Sequence, residues 1–406
     1  MGLLFKDELQ DSFGTWALGY IPYGGADFGE VQAVARSVGD GDDEAFYTAW
    51  TYAGDRLVER AKESLAKGRR TSARDAFLRA ACHYGSSYHL LFGAPVDPRL
   101  VAAFRKQIAA FNDGLALLDP PVVPLRIPFG EQTMPAYLLP AAGGGREARP
   151  LVILTNGYDA TVADMYFASA VAATRRGYHC LFFDGPGQGE MLIEHGTHIR
   201  PDWESVIAPV IDFALKLEYV DAKRIALIGW SLGGYLSPRA ASGEHRLAAC
   251  VADPGLFGIA EQVRQMLVKF GASPHDVADL GGIDDKLIER VTQAANADRH
   301  LHWSLFQRGF WVHGVDTLRD YFRSVGEFTL AGRVESIACP TLLTAAENDP
   351  LGAGAQAFYD ALRCTKQLVA FTAAEGAGTH VEGFNRSLLN DRVFDWLDSL
   401  LVSGRP

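Results

Sequence analysis

From about residue 121 onward, short apolar runs alternate with amphipathic helical segments, and this alternation constrains the fold more than any other feature. Buried apolar strands separated by helices predict an α/β fold in which helices cover both faces of a mostly parallel sheet. In such a sheet, loops at the carboxyl ends of the strands bring distant residues together. The predicted strands are 122–129, 134–140, 151–155, 179–183, 224–228, 248–252, 341–345 and 367–371.

Two regions exceed what this sheet needs. Residues 1–120 carry apolar positions at three- and four-residue spacing, which predicts helices. Residues 256–333 lie between two predicted strands, and the connection that contains them is far longer than an ordinary connection between strands. The 406-residue chain is also longer than one core usually holds. The predicted organisation is therefore a helical segment at 1–120, a first core part at 121–255, an inserted helical cap at 256–333 and a second core part at 334–406.

The predicted cap is rich in aromatic side chains. We expect Trp303, Phe306 and Trp311 to line a substrate pocket, together with Trp230 from the core. The alternative is that these aromatic residues form the core of a helical subdomain and contact no ligand.

The most specific motif is Gly229-Trp230-Ser231-Leu232-Gly233, a G-x-S-x-G sequence between a predicted strand and a predicted helix. A sharp strand-to-helix turn holds a serine in strained geometry, and small flanking residues relieve the crowding. The hydroxyl then projects beyond the sheet at the positive end of a helix. We therefore predict that Ser231 is a nucleophile, the alternative being an ordinary serine in a tight turn.

A nucleophilic serine needs a base, and the base needs an acid that orients it. In this architecture the acid and then the histidine follow the serine along the chain. Asp349 lies in the loop after the strand at 341–345, and Glu347 in the same loop is the alternative acid. His380 lies in a glycine-rich loop and is the only histidine after both Ser231 and Asp349. The predicted triad is Ser231, Asp349 and His380.

Two backbone amides should stabilise the oxyanion that forms during acyl transfer. One is predicted to be the amide of Leu232, directly after the nucleophile. The other is predicted to be the amide of Tyr158, because Gly157 allows the chain to turn closely there. The alternative for Asn156-Gly157 is a plain turn. The glycine-rich loop at 184–190 departs from the G-x-G-x-x-G dinucleotide pattern and is interpreted as a structural turn beneath the active-site loops.

Composition limits the partners. With 49 acidic and 38 basic residues, the chain has a formal charge of −11 and no basic footprint for nucleic acid or an anionic membrane. Five scattered cysteines predict neither a disulfide framework nor a zinc site. The first residues lack the pattern of a secretory signal, and no apolar run is long enough to span a bilayer. We expect a cytoplasmic protein with a small-molecule substrate, no metal and no cofactor, and a homodimer is left open.

The order of the triad, the nucleophile motif and the strand pattern resemble the α/β-hydrolase fold over residues 121–406. The sequence Asp184-Gly-Pro-Gly-Gln-Gly-Glu190-Met191, with Gly-Trp-Ser-Leu-Gly-Gly and a helical N-terminal segment, is more specific. It resembles the group containing 2,6-dihydroxypseudooxynicotine hydrolase and the fungal polyketide-shortening hydrolases. This resemblance implies that the N-terminal and inserted helices form a lid and that a C–C bond beside a ketone is cleaved. It also implies an extra carboxylate in the active site, for which Glu261 and Asp253 are candidates.

The expected function is a cofactor-independent serine hydrolase that cleaves a C–C bond next to a ketone. A carboxylesterase would use the same machinery, and an aminopeptidase would need acidic residues to hold a substrate ammonium. A catalytically inactive binding module on a hydrolase scaffold is the alternative from another class.

Overall fold

A computed structural model describes residues 2–143, 147–273 and 275–402. Positions 1, 144–146, 274 and 403–406 lie outside the described residues. Each of the predicted segments 1–120, 121–255, 256–333 and 334–406 contains some of these positions. The strands are β1 (Leu125–Phe129), β2 (Gln132–Leu139), β3 (Arg149–Thr155), β4 (His179–Phe183), β5 (Val220–Trp230), β6 (Ala249–Asp253), β7 (Thr341–Ala346) and β8 (Lys366–Phe371).

These eight strands form one sheet in the order β1-β2-β4-β3-β5-β6-β7-β8. The pairs β1–β2 and β2–β4 are antiparallel, and every other neighbouring pair is parallel. The central strands β3, β4 and β6 are almost completely buried, as expected when helices cover both faces. The predicted α/β class is therefore confirmed.

The predicted bounds of a strand differ most from the bounds in the structure at β5. This strand begins at Val220 rather than at position 224, because Val220 pairs with Arg149 before a register shift between Arg149 and Leu151. Polar residues of β5 between Val220 and Ile225 interrupt the apolar pattern that predicted the strand. Apolar periodicity therefore locates the buried part of this strand and misses its polar beginning.

Helices cover the sheet on both faces. The predicted helix at 162–176 is interrupted, because a π-helical turn at Tyr166–Ala170 separates α6 from α7. The helices that follow the first core strands are α6 (Val162–Met165), α7 (Val171–Arg175), α8 (Gly189–Ile193), α9 (Glu204–Ala214) and α10 (Gly233–Ala241). After β7 come α16 (Ala355–Ala361) and α17 (Arg386–Leu401).

The N-terminal region is helical. Its elements are α1 (Glu8–Gly14), a 3₁₀ segment at Trp16–Tyr23, α2 (Phe28–Val38), α3 (Asp43–Ala66), α4 (Arg70–Ser87), a 3₁₀ turn at His89–Leu91 and α5 (Pro98–Leu115). Large aromatic side chains are buried inside it: the rings of Phe5 and Phe46 lie 5.4 Å apart, and Trp50 packs beside both. Among the described residues, no helix is long and apolar enough to cross a membrane.

The chain between β6 and β7 forms a second helical region. It contains α11 (Ile259–Lys269), α12 (Asp285–Ala297), α13 (Arg299–His302), a π-helical segment at Trp303–Gly309, α14 (Phe310–His313) and α15 (Leu318–Gly326). These helices occupy the interval predicted to be a cap. We call them the cap below.

Phe182 of β4 tests how much the sheet depends on its buried aromatic residues. Its side chain is fully buried and stacks on Tyr137 at 5.7 Å. We expect Phe182→Ala to lower the free energy of unfolding by about 3–5 kcal/mol in urea denaturation, because it leaves a cavity. Phe28→Ala, at a half-exposed phenylalanine of α2, should cost less than about 0.5 kcal/mol. Equal losses in the two variants would contradict this account of the core.

Candidate active site

The turn from β5 into α10 holds Ser231 in a backbone conformation that non-glycine residues rarely adopt. Its φ is +61°, and its amide donates to the Asp253 carbonyl at 2.7 Å. At Gly229 a Cβ atom would lie 1.8 Å from the Gly233 carbonyl oxygen, so the strand and helix could not meet with any larger residue there. The G-x-S-x-G spacing is thus required by the close packing of this turn.

Three side chains converge at the carboxyl edge of the sheet. Ser231 Oγ lies 2.9 Å from His380 Nε2, and His380 Nδ1 lies 2.8 Å from Asp349 Oδ2. Asp349 is buried and also accepts from the Leu351 amide at 2.9 Å. With its Nδ1 proton donated to Asp349, the imidazole leaves Nε2 free to accept the serine proton.

The alternative acid, Glu347, points elsewhere. It is exposed, and one of its oxygens accepts from the Ala373 amide at 2.7 Å. Of the two carboxylates in this loop, Asp349 is therefore the one that contacts His380.

The loop after β3 closely approaches the nucleophile. A Cβ atom at Gly157 would lie 2.8 Å from both the Leu232 nitrogen and Ser231 Cβ. Within the described part of the chain, the amides of Leu232 and Tyr158 have no hydrogen-bond acceptor. Two unpaired amides beside a serine hydroxyl can bind a developing oxyanion.

The glycine-rich loop after β4 supports this arrangement from below. Gln188 Nε2 donates to the carbonyls of Asn156 and Gly157 at 2.8 and 3.2 Å, and Asn156 Nδ2 donates to Asp184 Oδ1 at 3.0 Å. Burial raises the pKa of Asp184 to about 8, so this carboxyl is largely protonated at neutral pH. The loop thus holds the backbone of Asn156 and Gly157 in place.

A buried ion pair lies beneath the nucleophile. Asp253, at the end of β6, accepts from Thr344 Oγ1 at 2.8 Å, and its other oxygen lies 3.4 Å from Arg386 Nη1. The same guanidinium donates to the Val381 carbonyl at 2.7 Å and stacks over the Trp230 ring at 5.0 Å. The Asp253 carboxylate therefore contacts buried groups inside the protein, and it does not line the cavity described below.

Glu382 is a second buried carboxyl in this cluster. Its backbone φ is +50°, as is that of Val381, so two successive residues after His380 adopt a strained conformation. Among the described residues, neither Glu382 carboxyl oxygen has a hydrogen-bond donor. Burial, and then the negative charge of Asp253, raise the pKa of Glu382 well above its usual range. A neutral Glu382 can donate its proton to Asp253.

A cavity of about 710 Å³ opens above Ser231 and His380. Phe13, Thr15 and Trp16 of the N-terminal region form one wall, and the cap contributes Leu256, Trp303 and Tyr321 to another. The rings of Trp16 and Trp230 lie 5.6 Å apart, and those of Phe13 and Trp303 lie 4.9 Å apart. Both surplus regions of the chain therefore enclose the site with aromatic surface.

Of the four aromatic residues predicted to line a substrate pocket, two line the cavity and two do not. Trp230 and Trp303 line the cavity, whereas Phe306 and Trp311 are absent from its described lining. Trp311 is buried against Phe92 at 5.0 Å, and Phe306 packs against Phe310 at 5.2 Å. A helix presents only some of its aromatic residues to one side, and the π-helical segment alters which ones these are.

Glu261 lies at the beginning of the cap, away from the cavity lining. One of its oxygens accepts from Arg264 Nη1 at 2.9 Å and from Thr329 Oγ1 at 3.3 Å. The contact with Thr329 connects α11 to the chain after α15. Neither of the candidate extra carboxylates, Glu261 and Asp253, therefore lines the cavity.

One polar side chain that lines the cavity was not predicted from the sequence. Arg308, in the π-helical segment of the cap, donates to Asp159 Oδ2 at 2.9 Å. Next to it, the Tyr158 hydroxyl lies 2.6 Å from His313 Nε2. Burial and the nearby Arg308 lower the pKa of His313 to about 3, so this histidine is neutral and can accept a hydrogen bond from the tyrosine hydroxyl. Arg308 and His313 contact residues about 150 positions away in the sequence, so no local sequence pattern predicts these contacts.

Comparison with known proteins agrees with this geometry. The model of the alpha/beta hydrolase family matches residues 152–387. The 20-hydroxy-prefusarin hydrolase FUS2 of Gibberella moniliformis is 34% identical to this chain over 404 residues, covering 96% of this chain and 95% of that protein. The hydrolase acrC of Aspergillus aculeatus is 32% identical, covering 94% of each chain.

A solved structure extends the likeness to the helical regions. The crystal structure of 2,6-dihydroxy-pseudo-oxynicotine hydrolase covers 95% of this chain and 96% of its own, with a TM-score of 0.74 at 22% identity. The overall fold, N-terminal helices and cap included, is therefore shared with that protein. The resemblance expected from the sequence is confirmed, and the chain is an enzyme of the alpha/beta hydrolase family.

Proposed function

We propose that this hydrolase acts through Ser231, His380 and Asp349 without a cofactor, and that it cleaves a C–C bond beside a ketone in an aromatic or polyketide-like substrate. The observation that carries the proposal is the strained Ser231, whose hydroxyl lies 2.9 Å from His380 and opens into an aromatic cavity. We propose the cytoplasm as its location and a small molecule as its partner.

In the first step, Ser231 Oγ attacks the ketone carbon and its proton passes to His380 Nε2. Asp349 stabilises the imidazolium through the bond to Nδ1. The ketone oxygen becomes an oxyanion, to which the amides of Leu232 and Tyr158 donate.

In the second step, the C–C bond breaks and its electron pair leaves with the departing carbon. His380 returns the proton to that carbon, and the acyl group remains on Ser231. A water molecule, deprotonated by His380, then hydrolyses the acyl-enzyme. Because Glu261 and Asp253 form ion pairs away from the cavity lining, this route relies on His380 alone as the proton donor.

The choice of a C–C bond rests on the resemblance in sequence to hydrolases of that kind and on the aromatic walls of the cavity. Ester cleavage is the close alternative, because an alkoxide leaves more easily than a carbanion through the same machinery. An aminopeptidase would need a free carboxylate for the substrate ammonium. Asp11 lines the cavity, but its oxygens already accept from the amides of Leu3, Leu4 and Phe5. Glu8, which is exposed and also lines the cavity, is the carboxylate on which that alternative would rest.

The direct test is turnover by purified enzyme of acyl-phenol ketones, 1,3-diketones and p-nitrophenyl esters. We expect ketone cleavage, and we expect Ser231→Ala to lower kcat by a factor of about 10⁴–10⁶. A fluorophosphonate reagent should label the wild type and not the variant.

Ser242→Ala is the matched control. Ser242 is buried at the end of α10, donates to the Arg239 carbonyl at 2.7 Å and does not line the cavity. It should keep near-normal turnover and labelling. Ester cleavage with no ketone cleavage would assign the enzyme as a carboxylesterase, whereas an unreactive wild type would favour the inactive binding module.

Gly157 tests the proposed oxyanion site. The methyl group of Gly157→Ala would lie 2.8 Å from the Leu232 nitrogen, which would displace the loop and its amides. We expect kcat to fall by a factor of about 10²–10³, and the melting temperature to fall as well because the clash is with backbone, so kcat is compared at a temperature where both proteins are folded. Gly29→Ala on α2, where an added Cβ meets nothing within 4 Å, is the control and should be fully active. Unchanged kcat in Gly157→Ala would remove this loop from the mechanism.

Glu382 tests the buried carboxyl pair. Because its pKa is raised in the folded protein, its stabilising effect is complete below its ordinary value of 4.5 and is lost as the pH rises toward the folded value. We expect wild type to lose stability relative to Glu382→Gln as the pH rises from about 5 to 9 in urea denaturation. Because the glutamine amide can replace the proton as donor to Asp253, the variant should also keep its activity at neutral pH. Parallel stability curves would show that Glu382 is ionised in the folded enzyme.

A further inference from the structure

Arg308 is the only lysine or arginine among the described residues that line the active-site cavity. Its guanidinium lies between two aromatic faces, 4.9 Å from the Tyr158 ring centre and 5.0 Å from that of Trp303. Such stacking holds the flat cation in one orientation without using its N–H groups. The cap thus presents a fixed positive charge on the wall that carries the Tyr158 loop.

The donors of this guanidinium are mostly unused. Nη1 donates to Asp159 Oδ2 at 2.9 Å, and within the described residues the buried Nε has no partner. An arginine side chain offers five N–H donors in a planar fork suited to two oxygen atoms. Buried donors without partners are rare in native proteins, because they are costly unless a ligand or water satisfies them.

Among the described carboxylates that line the cavity, only Asp159 is hydrogen-bonded to Arg308. Asp349 contacts His380, and Asp11 accepts from three backbone amides. Asp159 occupies one side of the guanidinium through a single hydrogen bond and leaves the remaining donors for a ligand. Asp159 therefore positions Arg308 and lowers the cost of burying its charge.

We propose that Arg308 binds an anionic oxygen of the substrate, either a carboxylate or the enolate of a 1,3-dicarbonyl group. This inference rests on the proposed function of the site and narrows its substrate class to acidic carbonyl compounds. Two different oxygens of the substrate would then carry negative charge. The Leu232 and Tyr158 amides would bind the oxygen of the attacked ketone, and Arg308 would bind the second, anionic oxygen.

In C–C cleavage of a 1,3-dicarbonyl substrate, the bound enolate first takes a proton from water at the carbon between its two carbonyl groups. The second oxygen, now a ketone oxygen held by Arg308, then takes part in the reaction. Ser231 Oγ forms a bond to the attacked carbon, and the bond from that carbon to its neighbour breaks. The electron pair passes to the departing carbon and is shared with its carbonyl oxygen as an enolate, which Arg308 stabilises. The proton that His380 took from Ser231 then moves to the departing carbon, so charge and atoms balance.

Binding to Ser231→Ala tests the proposal without any turnover. Three probes are titrated against the fluorescence of the cavity tryptophans: 4-phenylbutanoate, its neutral analogue 4-phenylbutanamide, and 5-phenylcyclohexane-1,3-dione, which is an enolate at neutral pH. We expect at least one of the two anions to bind at least tenfold more tightly than the amide. Arg308→Gln in the same background should remove this preference, and Arg308→Lys should keep part of it.

The anion that binds more tightly identifies the source of the negative charge. Arg264→Gln, at a cap arginine outside the cavity lining, is the matched control and should keep the preference. Equal binding of amide and anions before Arg308 is changed overturns the proposal, and so does a lack of binding by both anions at about 1 mM. A preference that persists in Arg308→Gln also overturns it. Failure of the proposed chemistry would appear separately, as lack of Ser231-dependent turnover.

Discussion

One buried guanidinium, that of Arg386, joins the parts of the enzyme that must meet for catalysis. It contacts Asp253, whose carbonyl holds the Ser231 amide, and it binds the Val381 carbonyl beside His380. It also donates to Ser169 in the π-helical turn between α6 and α7. Two carboxyls, those of Asp253 and Glu382, lie near this single cation, and burial and then the charge of Asp253 raise the pKa of Glu382. Ser231 and His380 thus share one support.

Above this support, the substrate's surroundings come from elsewhere in the chain. The N-terminal helices and the cap add aromatic walls to a catalytic edge that many hydrolases share. The catalytic edge decides how a carbonyl is attacked, and the walls decide which carbonyl compound reaches it. In this division, Arg308 is the only lysine or arginine among the described residues that line the cavity, and aromatic side chains form much of the surface around it.

The sequence predicted what local patterns encode. Apolar runs locate buried strands, and G-x-S-x-G locates the turn at Ser231, because both depend on neighbours in the chain. The order of Asp349 and His380 follows from the topology of a parallel sheet. Arg308 and Glu382 were missed because their partners are far apart in sequence or because their burial has no periodic signature. For the same reason, Glu261 and Asp253 were candidates for a cavity that neither side chain lines. The π-helical turns likewise depend on tertiary packing.

Tyr158 has two roles that are usually separate. Its amide faces the oxyanion site, while its side chain is bonded to His313 and stacked against Arg308, both in the cap. The cap therefore cannot shift without pulling on an amide that the reaction uses. In evolutionary terms the cap is not a free module: a cap grafted from a relative would carry its own preference for substrate, but would transfer it at full speed only if it also supplied partners for this tyrosine. New specificities in such an enzyme should arise by gradual change inside the existing cap rather than by exchange of whole caps.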